Sequence, residues 1–157
     1  MSTTTLLVAL STWLHTLATI VMIGYFVFTS LIYLPVFERQ MKADALRDLL
    51  ERVSARLRPY FGGSLLIFIV TGTYLMMINE KYLGLGNFFA NPWSSLIVIK
   101  HVLVLVFLVL AIVPERAFLG KISDEKPEAL KHYRLALAIN TVLGVVIILL
   151  TTIAQVV

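Results

Sequence analysis

Residues 93–113 read WSSLIVIKHVLVLVFLVLAIV. Beyond the two serines, only Lys100 and His101 interrupt the apolar run. About 20 such residues carry a helix across the hydrocarbon core of a bilayer. The run is continuous rather than alternating, which fits a helix and not a barrel strand. Working outward, three more stretches have this character: residues 6–34, 60–78 and 133–157. The chain therefore reads as all-α, a single transmembrane domain over residues 1–157, folded as a four-helix up-down bundle.

Composition supports this reading. Of 157 residues, 59% are hydrophobic and 14% charged, with a mean hydropathy of +0.92. Soluble domains run near 45–50% apolar and about 25% charged. A soluble enzyme, a disordered tail and a nucleic-acid module are excluded. There are no cysteines, so disulfides, thiolate metal sites, iron–sulfur clusters and c-type haem attachment are excluded too. No phosphate loop, HExxH or nucleophile triad is present, which removes hydrolases and kinases. Met1 to Thr5 carries no charged side chain and the first apolar run exceeds a signal core, so this run is expected to be a retained span.

The five prolines fall near the span ends. Proline donates no helical hydrogen bond and collects at helix boundaries. Pro35 is expected to close the first span, Pro59 to open the second, Pro92 to precede the third and Pro114 to close it. Lys and Arg set the topology. Arg39, Lys42, Arg47, Arg52, Arg56 and Arg58 follow the first span, and Arg116, Lys121, Lys126, Lys131 and Arg134 precede the fourth. Only Lys81 lies between the second and third. Short loops rich in these residues stay cytoplasmic, so both termini are expected on the outer side. The net charge of +4 is thus a topology signal, and interleaved acids such as Asp44, Asp48 and Glu51 argue against nucleic acid. Within residues 38–58, Leu46, Leu49, Leu50, Val53 and Leu57 recur at helical spacing. They predict a cytoplasmic amphipathic segment, lying on the membrane or extending the second span inward.

Ionisable groups inside a bilayer are candidates for function. His15, Lys100 and His101 stand out. Trp13 and Trp93 mark the expected outer aromatic belt. His15 follows Trp13 by two residues, and His101 lies eight residues past Trp93, about 12 Å at the helical rise. Spans one and three run parallel, so these histidines are expected to face each other in the outer half. Neutral imidazole binds copper, zinc and iron, and a pair of them serves haem b. Met22, two turns after His15, and Met76 add thioethers suited to Cu(I). Tyr74 offers a hydrogen bond to a ligand, and Lys100 snorkels outward or pairs with an anion. His132 reads as a surface residue. Asn140, Gly144, Thr151 and Gln155 on the fourth span, and Gly62, Gly63, Thr71 and Gly72 on the second, read as helix-packing positions.

The stretch WLHTLATIVMIG, Trp13 to Gly24, resembles the first helix of CopD-type copper-resistance membrane domains. Their leucine–histidine pair is matched by Leu14 and His15, while Met22 or Ile23 stands where a tryptophan is expected. The basic run Arg52 to Arg58 before Thr71-Gly72-Thr73-Tyr74, and Ile99-Lys100-His101-Val102-Leu103, resemble the second and third helices. More distantly, His15 and Lys100 match in type the four-helix haem-b-binding bacterial protoporphyrinogen oxidases. The resemblance implies copper handling at a bacterial cytoplasmic membrane, in the bilayer and with a periplasmic copper-binding protein as partner. His15, His101, Met22 and Met76 are then the expected metal ligands, with Lys100 and Tyr74 beside them. Haem b, with oxidoreductase chemistry, is the alternative cofactor. A non-catalytic subunit of a larger membrane complex is the third reading, and an oligomer is compatible with each.

Overall fold

The computed structural model describes residues 2–84, 86–87 and 89–157. Among these the protein is all helical. Four helices are long and apolar enough to cross a membrane. The first comprises α1 (Thr3–Phe28), a π-helical turn (Thr29–Tyr33) and α2 (Leu34–Glu38). Helix α3 spans Ala43–Met77, α4 spans Pro92–Phe118 and runs into a 3₁₀ turn (Leu119–Lys121), and α5 spans Pro127–Val156.

Local signals set the starts. Ser2 Oγ accepts the Thr5 amide at 3.2 Å. Asn91 Oδ1 accepts the Ser94 amide at 2.7 Å, just ahead of Pro92 in the first turn of α4. Side-chain acceptors of this kind satisfy otherwise orphaned amides at a helix start, and proline there removes one such donor outright.

The prolines expected to bound the spans mostly do not. The chain stays helical through Pro35, α3 runs unbroken through Pro59, and α4 continues beyond a buried Pro114 to Phe118. A helix in an apolar medium has no water to satisfy a broken backbone, so breaking it is worse than bending it. Ahead of Pro35 the adjustment is visible: the Leu34 amide bonds back five residues to Thr29 O. A π-type turn of this sort re-registers a helix locally. The amphipathic segment is accordingly the first half of α3. Leu46 and Leu50 are buried in the apolar core with Leu119 and Ile122, so this face is covered by the chain itself.

Helix α1 packs on α3 and α5, and α5 packs on α4. This places α1 and α4 diagonally across the bundle, with a looser seam between α3 and α4. Gly144 permits the α1–α5 approach: a Cβ there would stand 2.8 Å from Ile23 Cγ2. Gly62 and Gly63, expected to serve packing, have open space around them. The core includes Met22, Phe26, Phe107, Leu137 and Ile147. Phe26 meets Phe107 edge-to-face at 5.1 Å and Phe61 at 6.1 Å. Outside it, Ile20, Leu66, Leu105 and Val142 are all over 60% exposed. Such a girdle of bare aliphatic side chains belongs against lipid.

Candidate metal centre

At the end of the bundle where α1 begins and α5 finishes lies a cavity of about 840 Å³. All four long helices line it. Helix α1 contributes Thr12 and His15, α3 Phe68, Gly72 and Met76, α4 Trp93, Lys100 and His101, and α5 Thr151 and Gln155.

His15 is the most closely held of these. Its ring stacks on Phe68 at 4.3 Å, tilted 22°. Gly72 lies under the ring, so that a Cβ there would come within 2.9 Å of His15 Cε1. Thr71 Oγ1 stands 3.0 Å from His15 Nδ1. The single hydroxyl hydrogen of Thr71 is given to Ile67 O at 2.6 Å. Thr71 therefore accepts from His15, and Nδ1 carries the proton. In a neutral imidazole this leaves Nε2 as an unprotonated lone-pair donor. Fixing the tautomer through the other ring nitrogen is how proteins prepare a metal-ligating histidine.

His101 is held by its own helix, as the surface residue His132 is by the same contact to Glu128 O. Its Nδ1 donates to Ile97 O at 2.7 Å, again leaving Nε2 free. His101 is the more exposed of the two, and Lys100 is half-buried beside it.

The structure thus brings His15, His101, Lys100 and Met76 to one cavity. It does not bring Met22 or Tyr74 there. Met22 shares the face of His15 but lies in the packed core with Phe26. Tyr74 is half-buried on α3 and lies outside the cavity lining. Trp93, expected in an interfacial belt, is buried against the cavity, whereas Trp13 is 61% exposed. His132 is exposed at the opposite, basic end, stacked on Phe118. Sequence reasoning missed Thr71 and Phe68 as the residues that hold His15. The juxtaposed Thr71-Gly72 in a run of bulky residues was the available signal.

Among the described residues no group of three or more His, Cys, Asp or Glu gathers as a metal site. The cavity lining instead includes two imidazoles and one thioether. That set fits a soft or borderline metal of low coordination number, and Cu(I) in particular. It does not fit a hard, oxygen-liganded cation.

A family model described as copper resistance protein D matches residues 51–154. The match takes in Phe68, Thr71, Gly72, Met76, Lys100 and His101, while His15 lies ahead of it. No curated protein and no solved structure matches the chain.

Proposed function

Since the chain belongs to the copper resistance protein D family, we propose that it handles copper as cargo in its histidine-lined cavity. His15 Nε2, His101 Nε2 and the Met76 thioether hold the ion. The observation that carries this reading is the Thr71 hydroxyl committed to Ile67 O. It leaves His15 with its lone pair on Nε2 in a cavity shared with His101 and Met76.

The wider picture follows from charge and membrane physics. The Lys- and Arg-rich loops stay in the cytoplasm, so the cavity opens on the outer face of a bacterial inner membrane. A periplasmic copper-binding protein, or a neighbouring membrane subunit, exchanges copper there. The protein acts by ligand exchange, not by catalysis. A low-coordinate Cu(I) passes from one imidazole–thioether set to another without redox change. Imidazole and thioether suit this because both are neutral donors that bind Cu(I) firmly yet release it to a competing ligand.

The test is Cu(I) affinity in detergent-purified protein, measured against a chromophoric chelator under reducing conditions. The expected result is one bound copper. His15→Ala is expected to weaken it by more than about 100-fold, beyond the 10–100-fold typical of an outer hydrogen-bond partner. Undiminished binding in the His15→Ala/His101→Ala double variant sinks the copper site. A Soret band in the protein as isolated, bleached by His15→Ala, replaces copper with haem b.

A further inference from the structure

The cavity that holds the two histidines also holds a cation with nothing inside the bundle to neutralise it. Lys100 is half-buried and lines the cavity. It makes no ion pair among the described residues, where the pairs are Arg47 with Asp44 and Asp48, Arg58 with Glu115, Lys131 with Glu128, and Arg134 with Glu38. The one carboxylate in the lining is Glu80, which is exposed beyond the end of α3 and adjoins Lys81.

A lysine on the lipid-facing side of a membrane helix reaches the interface by snorkelling. Lys100 instead faces a space lined by four helices. Long helical side chains lean toward the helix N-terminus. This carries the ammonium back toward Trp93, which is two turns earlier on the same face of α4, buried, and part of the same lining. An ammonium with no carboxylate paired to it is stabilised there by a counter-ion. A bare Cu(I) entering that space meets a like charge, which opposes its binding.

We propose that Lys100 anchors a subsite for a small monoanion of the halide class, so that Cu(I) is held in this cavity together with that anion. Cu(I) and a halide are mutually compatible ligand and metal, and the pair carries no net charge. Two neutral imidazoles and the Met76 thioether then complete the coordination while the ammonium holds the halide. The copper half of this statement rests on the function proposed above. The anion subsite rests on Lys100 and the cavity alone.

The chain has two tryptophans, so Trp13→Phe leaves Trp93 as the sole reporter. Copper-free Trp13→Phe protein in nanodiscs is titrated with potassium iodide at constant ionic strength, with potassium sulfate as balance. The expected result is saturable quenching of Trp93 that chloride competes away. Adding Lys100→Met is expected to weaken apparent iodide affinity about tenfold or more, as loss of the half-buried ammonium requires. Lys100→Arg keeps it. The second readout is Cu(I) affinity with and without chloride, corrected for chloride binding by copper in solution. Lys100→Met is expected to bind copper more tightly than the parent in chloride-free buffer and to lose its chloride dependence. Quenching that is linear and indifferent to Lys100 overturns the subsite. Lys100-dependent, saturable quenching with copper binding untouched by His15→Ala keeps the subsite and removes the copper reading. Copper binding lost in His15→Ala with quenching indifferent to Lys100 does the reverse.

Discussion

The two ends of this bundle are built on opposite plans. The end bearing His15 has the larger cavity, about 840 Å³, and its cross-helix polar contact is one histidine–threonine bond. The basic end has a smaller cavity of about 380 Å³ beside Tyr25, Ser54, Arg58 and Glu115. There the helices are tied repeatedly. Arg58 pairs with Glu115 at 2.8 Å between α3 and α4, and Arg134 pairs with Glu38. The Tyr25 and Ser54 hydroxyls meet at 3.3 Å, and the Ala43 amide donates to Asp124 at 3.4 Å. The apolar core, including Leu34, Leu46 and Ile122, also lies toward this end. In lipid, helices associate through packing and interhelical hydrogen bonds, since tails are as apolar as leucine. The basic end supplies both. The other end is thereby free to keep open space lined by imidazoles, the condition binding needs and packing opposes.

If that division is right, substitutions at one end should alter binding and leave stability alone, and the reverse should hold at the other. The largest expected effect is Gly72→Val. The Cβ already comes within 2.9 Å of the His15 ring, and the branched methyls demand more room. The ring must leave its place over Phe68. Cu(I) affinity is expected to fall by about 100-fold or more, beyond the effect of an outer partner, with the unfolding midpoint little changed. Retained affinity would mean that His15 is not held for a metal. Next is Thr71→Val, which keeps the shape and deletes the acceptor for Nδ1–H. A loss of about 10–100-fold is expected, and Thr71→Ser restores it. Equal affinities in the Val and Ser variants would remove the tautomer argument.

The sequence displayed much of the fold and part of the site. Four uninterrupted apolar runs leave a chain in lipid almost no choice but helices. That His15 and His101 share one cavity was foreshadowed by their register along two parallel spans, which needs no knowledge of which helices touch. The prolines misled, because packing on both sides of them, with Leu46, Leu50 and Leu119 in the core, carries the helices through. Met22 misled differently. Its angular position matches that of His15, but two turns further along the cavity has closed into the Phe26 and Phe107 core. Tyr74 and Met76 are two residues apart, about 200° around a helix, so they face different ways and only Met76 meets the cavity. The Thr71–His15 bond joins residues 56 apart in the chain. No periodicity within one helix announces such a contact.

In the core where the cavity closes, the expected signs reverse. Phe107→Ala deletes a buried ring that meets Phe26 edge-to-face at 5.1 Å. No water-transfer term operates in lipid, but the lost contacts remain lost. A cavity the size of a phenyl group corresponds to about 2 kcal/mol, measurable as a lower midpoint in mixed-micelle unfolding. Copper affinity should stay within about twofold, since Phe107 belongs to the core and is not part of the cavity lining. A large fall in affinity would show that core and cavity form one unit, and the contrast between the ends would dissolve.

The smallest expected effect is that of Arg58→Gln. The Arg58 side chain is 73% exposed and that of Glu115 28%, so this pair sits near the interface with water close by. Exposed pairs contribute about 0–1 kcal/mol, and glutamine keeps a hydrogen bond to the carboxylate. Its value is comparative. The α3–α4 seam lacks the close backbone packing of the other neighbouring helices, so Arg58 and Glu115 are its main polar tie. If the seam is held at this end alone, the variant should raise hydrogen exchange in α3 and α4 near Arg58 and Glu115, with the midpoint shifted little. Exchange that rises instead around Gly72 and Lys100 would mean the open end depends on the pair as well. The division of labour would then be one of degree, with the seam acting as a single hinge along its length.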